Sequence, residues 1–235
     1  MGRPAIETRA LTKSYRPTVG FLRRGPEKLA VRQVDLWVEQ GELFVLLGRN
    51  GAGKTTLVKL LTTLVLPTSG EARVLGHDVV RDEDRVRRVV GLSSPDERSF
   101  YWRLSGRRNL EFWGVLHDLR GRALARRVEE LRESLGLGEF LEKRFDSYSS
   151  GMKQKMAIAR ALLGSPRVLF MDEPTRSLDP AAARDLRQLI RELVREQGLT
   201  TVLVTHQLEE CRELADRYGL MAEGRLSIHS VAETD

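Results

Sequence analysis

The stretch from Gly48 to Thr56, Gly-Arg-Asn-Gly-Ala-Gly-Lys-Thr-Thr, constrains this chain more than any other, because it fits the pattern G-x-x-x-x-G-K-[ST]. A short apolar run of buried-strand type, residues 42–47, precedes it, and leucines follow it at helical spacing (Leu57, Leu60, Leu61 and Leu64). In such a strand–loop–helix unit, backbone N–H groups and the positive helix end hold phosphates, the Lys54 side chain reaches the β- and γ-phosphate oxygens, and the Thr55 hydroxyl coordinates Mg²⁺. The pattern therefore predicts a nucleoside triphosphate site made by Gly48, Arg49, Asn50, Gly51, Ala52, Gly53, Lys54, Thr55 and Thr56.

Length and composition restrict the class of protein. The chain has 235 residues, of which 41% are hydrophobic and 31% charged, as in a soluble globular protein. No apolar run approaches the roughly 18–20 residues that cross a bilayer. The N-terminus lacks a signal-like apolar core, and Cys211 is the single cysteine. We therefore expect a cytoplasmic protein without an intrachain disulfide or a zinc–cysteine site.

The net charge of +6 does not identify a partner. Arginines supply most of the basic excess, and they are interleaved with acids, as in residues 81–88 and 126–130. Such mixed charge is typical of solvated helix faces with i,i+4 ion pairs, rather than of a surface for nucleic acid or membrane lipid.

The order of strand-like and helix-like patterns predicts an α/β fold. Residues 4–47 have the pattern of short strands with turns, whereas residues from about 100 to 164 form helix after helix without a strong strand. Strands and helices alternate again after about residue 166. We interpret this order as a nucleotide-binding α/β core interrupted by a helical subdomain.

Local signals place the individual elements. Ser105 and Asp179 are typical N-caps, Pro180 is suited to a first helical position, and Gly198 is a typical helix stop. The patterns further predict an extended loop at 16–29, helices at about 54–65, 122–135 and 207–217, a helix that begins at Met152 and one that ends at Gln197, strands at 168–171 and 200–205, and a final turn at Glu223-Gly224.

Polar side chains follow two of the predicted strands. Asp172 and Glu173 come directly after the strand at 168–171, where a carboxylate in a phosphate-loop protein faces the Mg²⁺. Asp172 therefore suits the metal shell, and Glu173 suits a general base for an attacking water. His206 ends the strand at 200–205, so its imidazole would point into the same crevice, although an isolated histidine is more often structural.

The segment Tyr148–Met152 predicts a second anion-binding site. Ser149, Ser150 and Gly151 present small side chains and backbone N–H groups at the start of an amphipathic helix. Because one nucleotide needs one phosphate cradle, we interpret the second cradle as a site for the nucleotide of another subunit.

Taken together, these motifs resemble those of the ATPase subunits of ABC transporters, and the resemblance covers essentially the whole chain. Gly48–Thr56 is similar to the Walker A motif of that family, Tyr148–Met152 to its signature, and Val168–Glu173 to Walker B. Residues 177–179 (Ser-Leu-Asp) match the D-loop, His206 matches the switch histidine, and Tyr15 matches the aromatic residue that stacks on adenine.

The resemblance implies a single ABC ATPase domain over residues 1–235. Its nucleotide-binding core would comprise residues 1–90 and 166–235, with an N-terminal antiparallel β subdomain, and the inserted helical signature subdomain would comprise residues 91–165.

The resemblance also implies the function. Two copies would pair head to tail around two ATP molecules and Mg²⁺, with Ser149, Ser150, Gly151 and Asp179 of one copy completing the site of the other. Lys54, Glu173 and His206 would be catalytic, and Thr55 and Asp172 would hold the metal. The partner would be a separate membrane permease, with this subunit peripheral on the cytoplasmic face, and the motifs look closest to exporters of the type-two class.

Two positions depart from the family pattern. Ser150 replaces the first glycine of the signature, where a small residue still fits. Pro95 replaces a glutamine that in the family links Mg²⁺ to the transporter-facing helices, and proline neither ligates a metal nor donates a backbone hydrogen bond. We hypothesise that coupling is altered rather than lost, with Ser94 or Asp96 as the replacement.

The segment Ser99-Phe-Tyr-Trp102, here named the aromatic segment, admits two interpretations. Three consecutive aromatic residues cannot all face one core from regular structure, so some are available to a partner helix. Alternatively, they fill a seam between subdomains. Its place in the family favours the partner, since the groove for the permease lies there.

Two other functions would share part of this pattern. A soluble ABC ATPase that acts on nucleic acid or ribosomes would need a long coiled-coil insertion, a second cassette or zinc cysteines, and the chain has none of these. A small-molecule kinase or GTPase would share the phosphate loop but would leave the signature unexplained. We therefore expect no nucleic-acid partner.

Overall fold

The computed structural model describes residues 4–16, 18–19, 23–94 and 99–230. The chain divides into two compact units: the first joins Met1–Arg88 to Val202–Asp235, and the second is Val89–Thr201. The predicted division of the chain at 90/91 and 165/166 stays a prediction. No helix among the described residues is both long and apolar enough to cross a membrane.

Strands and helices alternate along the described chain. The strands are β1 (Ile6–Tyr15), β2 (Thr18–Val19), β3 (Arg23–Arg24), β4 (Lys28–Val38), β5 (Leu43–Leu47), β6 (Ser69–Val74), β7 (His77–Asp78), β8 (Val90–Ser93), β9 (Val168–Asp172), β10 (Thr200–Thr205), β11 (Arg217–Ala222) and β12 (Arg225–Ser230). The helices are α1 (Lys54–Leu61), α2 (Glu83–Val89), α3 (Gly106–Leu116), α4 (Gly121–Ser134), α5 (Ser150–Leu162), α6 (Pro180–Gln197) and α7 (Leu208–Leu214).

The first unit contains an antiparallel sheet in the order β4-β1-β6-β7. Ile6 lies opposite Val38 on one side and Val74 on the other, and all three side chains are fully buried. The register shifts after Thr8, where Ala10 takes a positive φ of 44° and its N–H donates to Asp35 Oδ1 at 2.7 Å. A short polar side chain thus satisfies the backbone at a β-bulge. The predicted N-terminal antiparallel β subdomain is confirmed.

The first unit also carries strands in the order β12-β11-β5-β10, with β11 parallel to β5. Every residue of β5 is buried, as expected for a parallel strand covered on both faces. Helix α1 follows β5 directly through the glycine-rich loop, so the loop joins the carboxyl end of a buried strand to the amino end of a helix. This is the predicted context for phosphate binding, and the α/β fold class is confirmed.

The second unit is mainly helical. Helices α3 and α4 pack on each other, and α5 packs against the parallel pair β8 and β9. A Cβ on Gly91 in β8 would lie 2.3 Å from the carbonyl oxygen of Ala161 in α5, so glycine permits this close approach. The core between these elements includes the fully buried Leu110, Val128 and Phe145.

The predicted caps and turns are confirmed. The Ser105 hydroxyl accepts a hydrogen bond from the N–H of Arg108 at 3.3 Å, and Asp179 caps α6. Helix α6 ends at Gly198, which takes a left-handed φ of 59°. Glu223-Gly224 forms the turn between β11 and β12. The i,i+4 pairs Arg87–Glu83 and Arg126–Glu130 bear out the solvated helix faces at the two charged runs.

Several predicted boundaries were wrong. The helix expected at 54–65 ends at Leu61, because Thr63 takes a φ of 62°, and Leu64 is consequently 60% exposed. The helix expected from Met152 begins at Ser150, since the Ser149 hydroxyl caps it. The helix expected at 207–217 is Leu208–Leu214, and the loop expected at 16–29 contains the short β2–β3 ladder and the start of β4. Strand β8 was not predicted.

Candidate functional site

The phosphate loop lies between β5 and α1, in the first unit. Gly53, the residue before the helix, has φ of 110°, and a Cβ there would lie 2.1 Å from the carbonyl oxygen of Ala30. A Cβ on Gly48 would lie 2.3 Å from the carbonyl oxygen of Met221. Both positions therefore require glycine, one for its conformation and both for the close approach of neighbouring backbone.

Lys54 lies inside the loop that it follows. Its side chain is only 4% exposed, and Nζ donates hydrogen bonds to the carbonyl oxygens of Gly48 at 2.5 Å and Arg49 at 3.2 Å. A buried ammonium that is hydrogen-bonded to loop carbonyls holds a positive charge inside the loop. The arrangement suits the binding of an anion such as a phosphate.

The structure brings His206 to the phosphate loop, as predicted. The N–H of Gly48 donates to the carbonyl oxygen of Thr205 at 3.2 Å, which ties the first loop residue to the residue before His206. A cleft of about 660 Å³ is lined by Arg49, Asn50 and the exposed His206. The imidazole therefore shares a cleft with the loop, although its catalytic role stays a prediction.

The apolar wall of this cleft was not predicted from the sequence. Leu208 in α7 and Leu220 in β11 line it, and these side chains are 47% and 42% exposed. Leu220 comes near the loop because β11 is parallel to β5 and Leu220 lies opposite Leu47. Because this pairing joins residues far apart in the sequence, it could be predicted only from the order of the strands in the sheet.

Tyr15 ends β1 in the first unit with 40% of its surface exposed. The Lys13 ammonium lies 5.2 Å from the centroid of its ring, within the range of a cation–π interaction. An exposed ring at a strand end is accessible to a planar base, and adenine stacking by Tyr15 stays a prediction.

Asp172 and Glu173 lie where β9 ends, in the second unit. Asp172 is the last residue of the strand, and Glu173 has a positive φ of 51°. The carbonyl oxygen of Glu173 accepts a hydrogen bond from the N–H of Arg176 at 3.1 Å, which closes a tight turn. A left-handed conformation costs a non-glycine residue about 1–2 kcal/mol, and such residues cluster at functional sites. The turn geometry is compatible with the predicted roles of Asp172 and Glu173, and these roles stay predictions.

The signature segment, Tyr148–Met152, also lies in the second unit. Ser149 and Ser150 are exposed, and the Ser149 hydroxyl accepts a hydrogen bond from the N–H of Met152 at 3.3 Å. Tyr148 is buried, and its hydroxyl donates to the carbonyl oxygen of Phe140 at 2.5 Å. Burial raises the pKa of Tyr148 to about 12, so this hydroxyl stays a donor at neutral pH. The segment therefore presents two exposed serines next to a tyrosine that is buried and hydrogen-bonded.

Asp179 is brought close to the signature segment. Its Oδ1 accepts hydrogen bonds from the N–H groups of Ala181 and Ala182, each at 3.0 Å. A Cβ on Gly151 would lie 3.7 Å from the Cβ of Ala182, so the amino ends of α5 and α6 are neighbours within one unit. The N-cap accounts for the position of Asp179, and its contact with nucleotide stays a prediction.

The residues expected to replace the family's glutamine are only partly described. Pro95 and Asp96 lie outside the described residues, whereas Ser94 is partly buried at the end of β8. Within the part of the chain that the structure describes, no group of three or more His, Cys, Asp or Glu residues could hold a metal ion. The proposed Mg²⁺ ligands are instead one hydroxyl and one carboxylate, Thr55 and Asp172.

Comparison with known proteins gives consistent similarities. A family model described as ABC transporter matches residues 31–176, more than half of the chain. The daunorubicin resistance ATP-binding protein DrrA3 of Streptomyces coeruleorubidus is 40% identical over 218 residues, which cover 91% of this chain and 67% of that protein. ABC transporter A family member 8 of Arabidopsis thaliana is 40% identical over 203 residues, which cover 86% of this chain. The chain spans only 22% of the length of that plant relative.

Solved structures of the same fold also match. A dimeric structure of the ATP-binding cassette MJ0796, in a post-hydrolysis state bound to ADP and Pi, superposes with a TM-score of 0.82 and 26% identity and covers 96% of this chain and 98% of that chain. The structure of cbiO1 from Clostridium perfringens superposes with a TM-score of 0.87 at 24% identity, covering 99% of this chain and 90% of that chain, which supports the fold.

Proposed function

The chain belongs to the ABC transporter family, and from this premise we propose that it is the ATP-hydrolysing subunit that powers transport through a separate membrane permease. Two copies pair head to tail, and each binds one of two ATP molecules in a site that the other copy completes. The chain thus acts on the cytoplasmic face of the membrane, peripheral to the bilayer, and drives export.

The observation that carries this proposal is the presence of two separate elements whose backbone and charge suit phosphate binding. The phosphate loop of the first unit has a buried lysine at its centre, and the signature segment of the second unit exposes Ser149 and Ser150 at the amino end of α5. A nucleotide held by one loop needs no second cradle, so the signature segment is free to serve a second copy. The dimeric structure of MJ0796 with ADP and Pi supports this assembly.

We assign a hydrolytic role to each of three residues. Glu173 accepts the proton of the attacking water, and His206 orients that water or the γ-phosphate. Lys54 neutralises charge on the β- and γ-phosphate oxygens as the terminal P–O bond breaks. Mg²⁺, when bound, would neutralise phosphate charge, and the oxygen donors of Thr55 and Asp172 are of the type that it prefers.

Export through a permease is the finer part of the proposal. The similarity to a daunorubicin resistance ATP-binding protein supports export, because a transporter confers resistance by removing a drug. The exposed apolar side chains around the aromatic segment support a protein partner: Tyr101 is 49% exposed, Trp102 48% and Phe112 40%. Tyr101 packs edge-on against Phe112 with ring centroids 4.8 Å apart, so both rings belong to one surface.

Steady-state ATPase assays test the proposal. The wild-type chain should hydrolyse MgATP, and Lys54→Ala should abolish binding or turnover. Arg126→Met, which alters an exposed arginine on α4, is the control and should leave turnover unchanged. Hydrolysis that is insensitive to Lys54→Ala would contradict the assignment.

Co-expression with a membrane protein encoded beside this chain distinguishes the partner classes. If the chain is retained in the membrane fraction and that protein stimulates its ATPase activity, the partner is a permease, as proposed. Stimulation by DNA or RNA would instead support the alternative, a soluble ABC ATPase that acts on nucleic acid or ribosomes.

A further inference from the structure

Two cations on the signature helix α5 lie over aromatic rings from the segments that flank it in space. The Lys153 ammonium is 5.3 Å from the ring centroid of Trp102, and the Arg160 guanidinium is 5.0 Å from that of Phe100 and 5.2 Å from that of Trp113. Positions 153 and 160 are seven apart and therefore share one face of the helix. Both ends of α5 are thus attached to the aromatic segment or to α3.

Arg160 anchors the carboxyl end of this contact. Its guanidinium donates a hydrogen bond to the Ser99 hydroxyl, and the Trp113 indole N–H donates to the carbonyl oxygen of Ser99 at 3.2 Å. The guanidinium therefore lies between two rings and one hydroxyl, all supplied by residues 99–113. The carboxyl end of α5 is therefore attached to both the aromatic segment and α3.

Lys153 occupies the exposed end. It lies three residues after Ser150, in the first turn of α5, and Trp102 is 48% exposed. The ring of Phe145 also lies 6.0 Å from the Lys153 ammonium. The contact between Lys153 and Trp102 therefore connects a solvent-accessible ring with the turn that carries Ser150 and Gly151.

A backbone connection runs parallel to these side-chain contacts. The N–H of Asp146 donates to the carbonyl oxygen of Trp102 at 3.0 Å, and the N–H of Phe145 donates to that of Leu104 at 2.9 Å. The rings of Phe100 and Phe145 stack with centroids 4.5 Å apart, and Phe145 packs on Tyr148 at 5.2 Å. The aromatic segment and the chain leading into the signature segment therefore form one packed body.

From this arrangement we propose that Lys153 is a positioning residue for ATP hydrolysis, which holds the signature segment in its active position through its contact with Trp102. Lys153 does not touch the reacting phosphate in this account. It fixes the first turn of α5 relative to the aromatic segment, so a change in the position of Trp102 is passed to Ser149, Ser150 and Gly151. The inference rests on the proposed function, in which these residues complete the site of a second copy.

The strength of the contact between Lys153 and Trp102 sets the size of the expected effect on kcat. A three- to tenfold change in rate corresponds to about 0.6–1.4 kcal/mol, which lies between the contributions of an exposed and of a desolvated cation–π interaction. If the contact acts only after ATP is bound, its loss lowers kcat by about three- to tenfold and leaves KM nearly unchanged. A residue with a merely structural role would instead lower the melting temperature and change kcat and KM together.

A double-mutant cycle on the full chain tests the proposal. Lys153→Met and Trp102→Leu should each lower kcat about three- to tenfold, and the double variant should be no slower than the slower single variant. Lys153→Arg, which keeps a cation over the ring, should restore kcat. Lys143→Met alters an exposed lysine of the same unit and should leave kcat and the melting temperature unchanged.

Additive losses of kcat in the double variant, or no rescue by Lys153→Arg, would overturn the proposal. A fall in melting temperature that parallels the fall in kcat would also overturn it, since Lys153 would then be structural. The proposed function has a separate test, because ATP-dependent dimerisation is measured in a Glu173→Gln chain with Lys153 and Trp102 intact. A chain that dimerises but shows additive losses would refute only the role of Lys153.

Discussion

Asp179 has two possible roles, helix cap and nucleotide-site residue, and its substitutions separate them. One carboxylate oxygen, Oδ1, accepts both cap hydrogen bonds, from the N–H groups of Ala181 and Ala182 at 3.0 Å each. Asp179→Ala removes both bonds, and loss of such a cap costs about 0.5–2 kcal/mol. Asp179→Asn keeps an oxygen that can accept them and loses only the charge at the helix amino end, which contributes about 0.3–1 kcal/mol.

We therefore expect an order in the free energy of unfolding, measured by urea denaturation: wild type above Asp179→Asn, and Asp179→Asn above Asp179→Ala. The ATPase assay should give a different order. If the carboxylate belongs to the shared nucleotide site, Asp179→Asn should lower kcat about tenfold, as expected for losing about 1.4 kcal/mol of charged hydrogen bonding in the transition state. Its stability should remain close to that of wild type.

Asp185, an exposed carboxylate within α6, provides the matched control. Asp185→Ala lies away from the cap, so it should change neither kcat nor the free energy of unfolding by much. Full turnover in Asp179→Asn would refute the site assignment and leave only the cap. Equal destabilisation by Asp179→Asn and Asp179→Ala would refute the hydrogen-bond explanation of the cap.

Two further predictions concern ionisable groups, one in each unit. Arg217→Met leaves the Glu42 carboxylate, whose side chain is 6% exposed, without the guanidinium 3.2 Å away, and should cost about 2–4 kcal/mol in urea unfolding. Burial already raises the pKa of Glu42, and Arg217 opposes this rise, so the loss should be larger at pH 8 than at pH 5; equal losses would contradict the assignment. Partial desolvation lowers the pKa of His117, although the residue is exposed overall, so the unfolded chain binds a proton more readily and stability should fall slightly as pH drops through about 6.5. His117→Gln should flatten this dependence between pH 7.5 and 5.5, and an unchanged slope would show that His117 is not responsible.

Features determined by local chemistry were predictable from the sequence. A cap depends on one side chain and the next two or three backbone N–H groups, which is why Ser105, Asp179 and Gly198 were placed correctly. The phosphate loop was predictable for the same reason, since its glycines, its lysine and its flanking elements lie within one short stretch.

Features determined by distant parts of the chain were not predictable. Val90 in β8 lies opposite Val168 in β9, and four residues with no strong pattern of their own become a strand through that pairing. The end of α1 depends on the left-handed conformation of Thr63, which the residue type does not favour. In both cases the tertiary environment overrides local preference.

In the candidate site, too, local features were predictable and long-range contacts were not. The positions of Lys54, His206 and the signature serines follow from motif and strand order. The apolar wall that Leu220 supplies to the cleft, and the cation–aromatic contact between Lys153 and Trp102, join residues separated by long stretches of sequence. Neither contact has a motif, so neither was predicted.

The shared nucleotide site is the central claim, and the mass of the Glu173→Gln chain tests it most directly. Without the proposed general base, this variant should bind MgATP, fail to hydrolyse it and elute at twice the chain mass in size-exclusion chromatography with light scattering. Adding Lys54→Ala, or Ser150→Arg at the exposed start of α5, should return it to the monomer. A Glu173→Gln chain that stays monomeric with MgATP, or a dimer that tolerates Ser150→Arg, would contradict the claim.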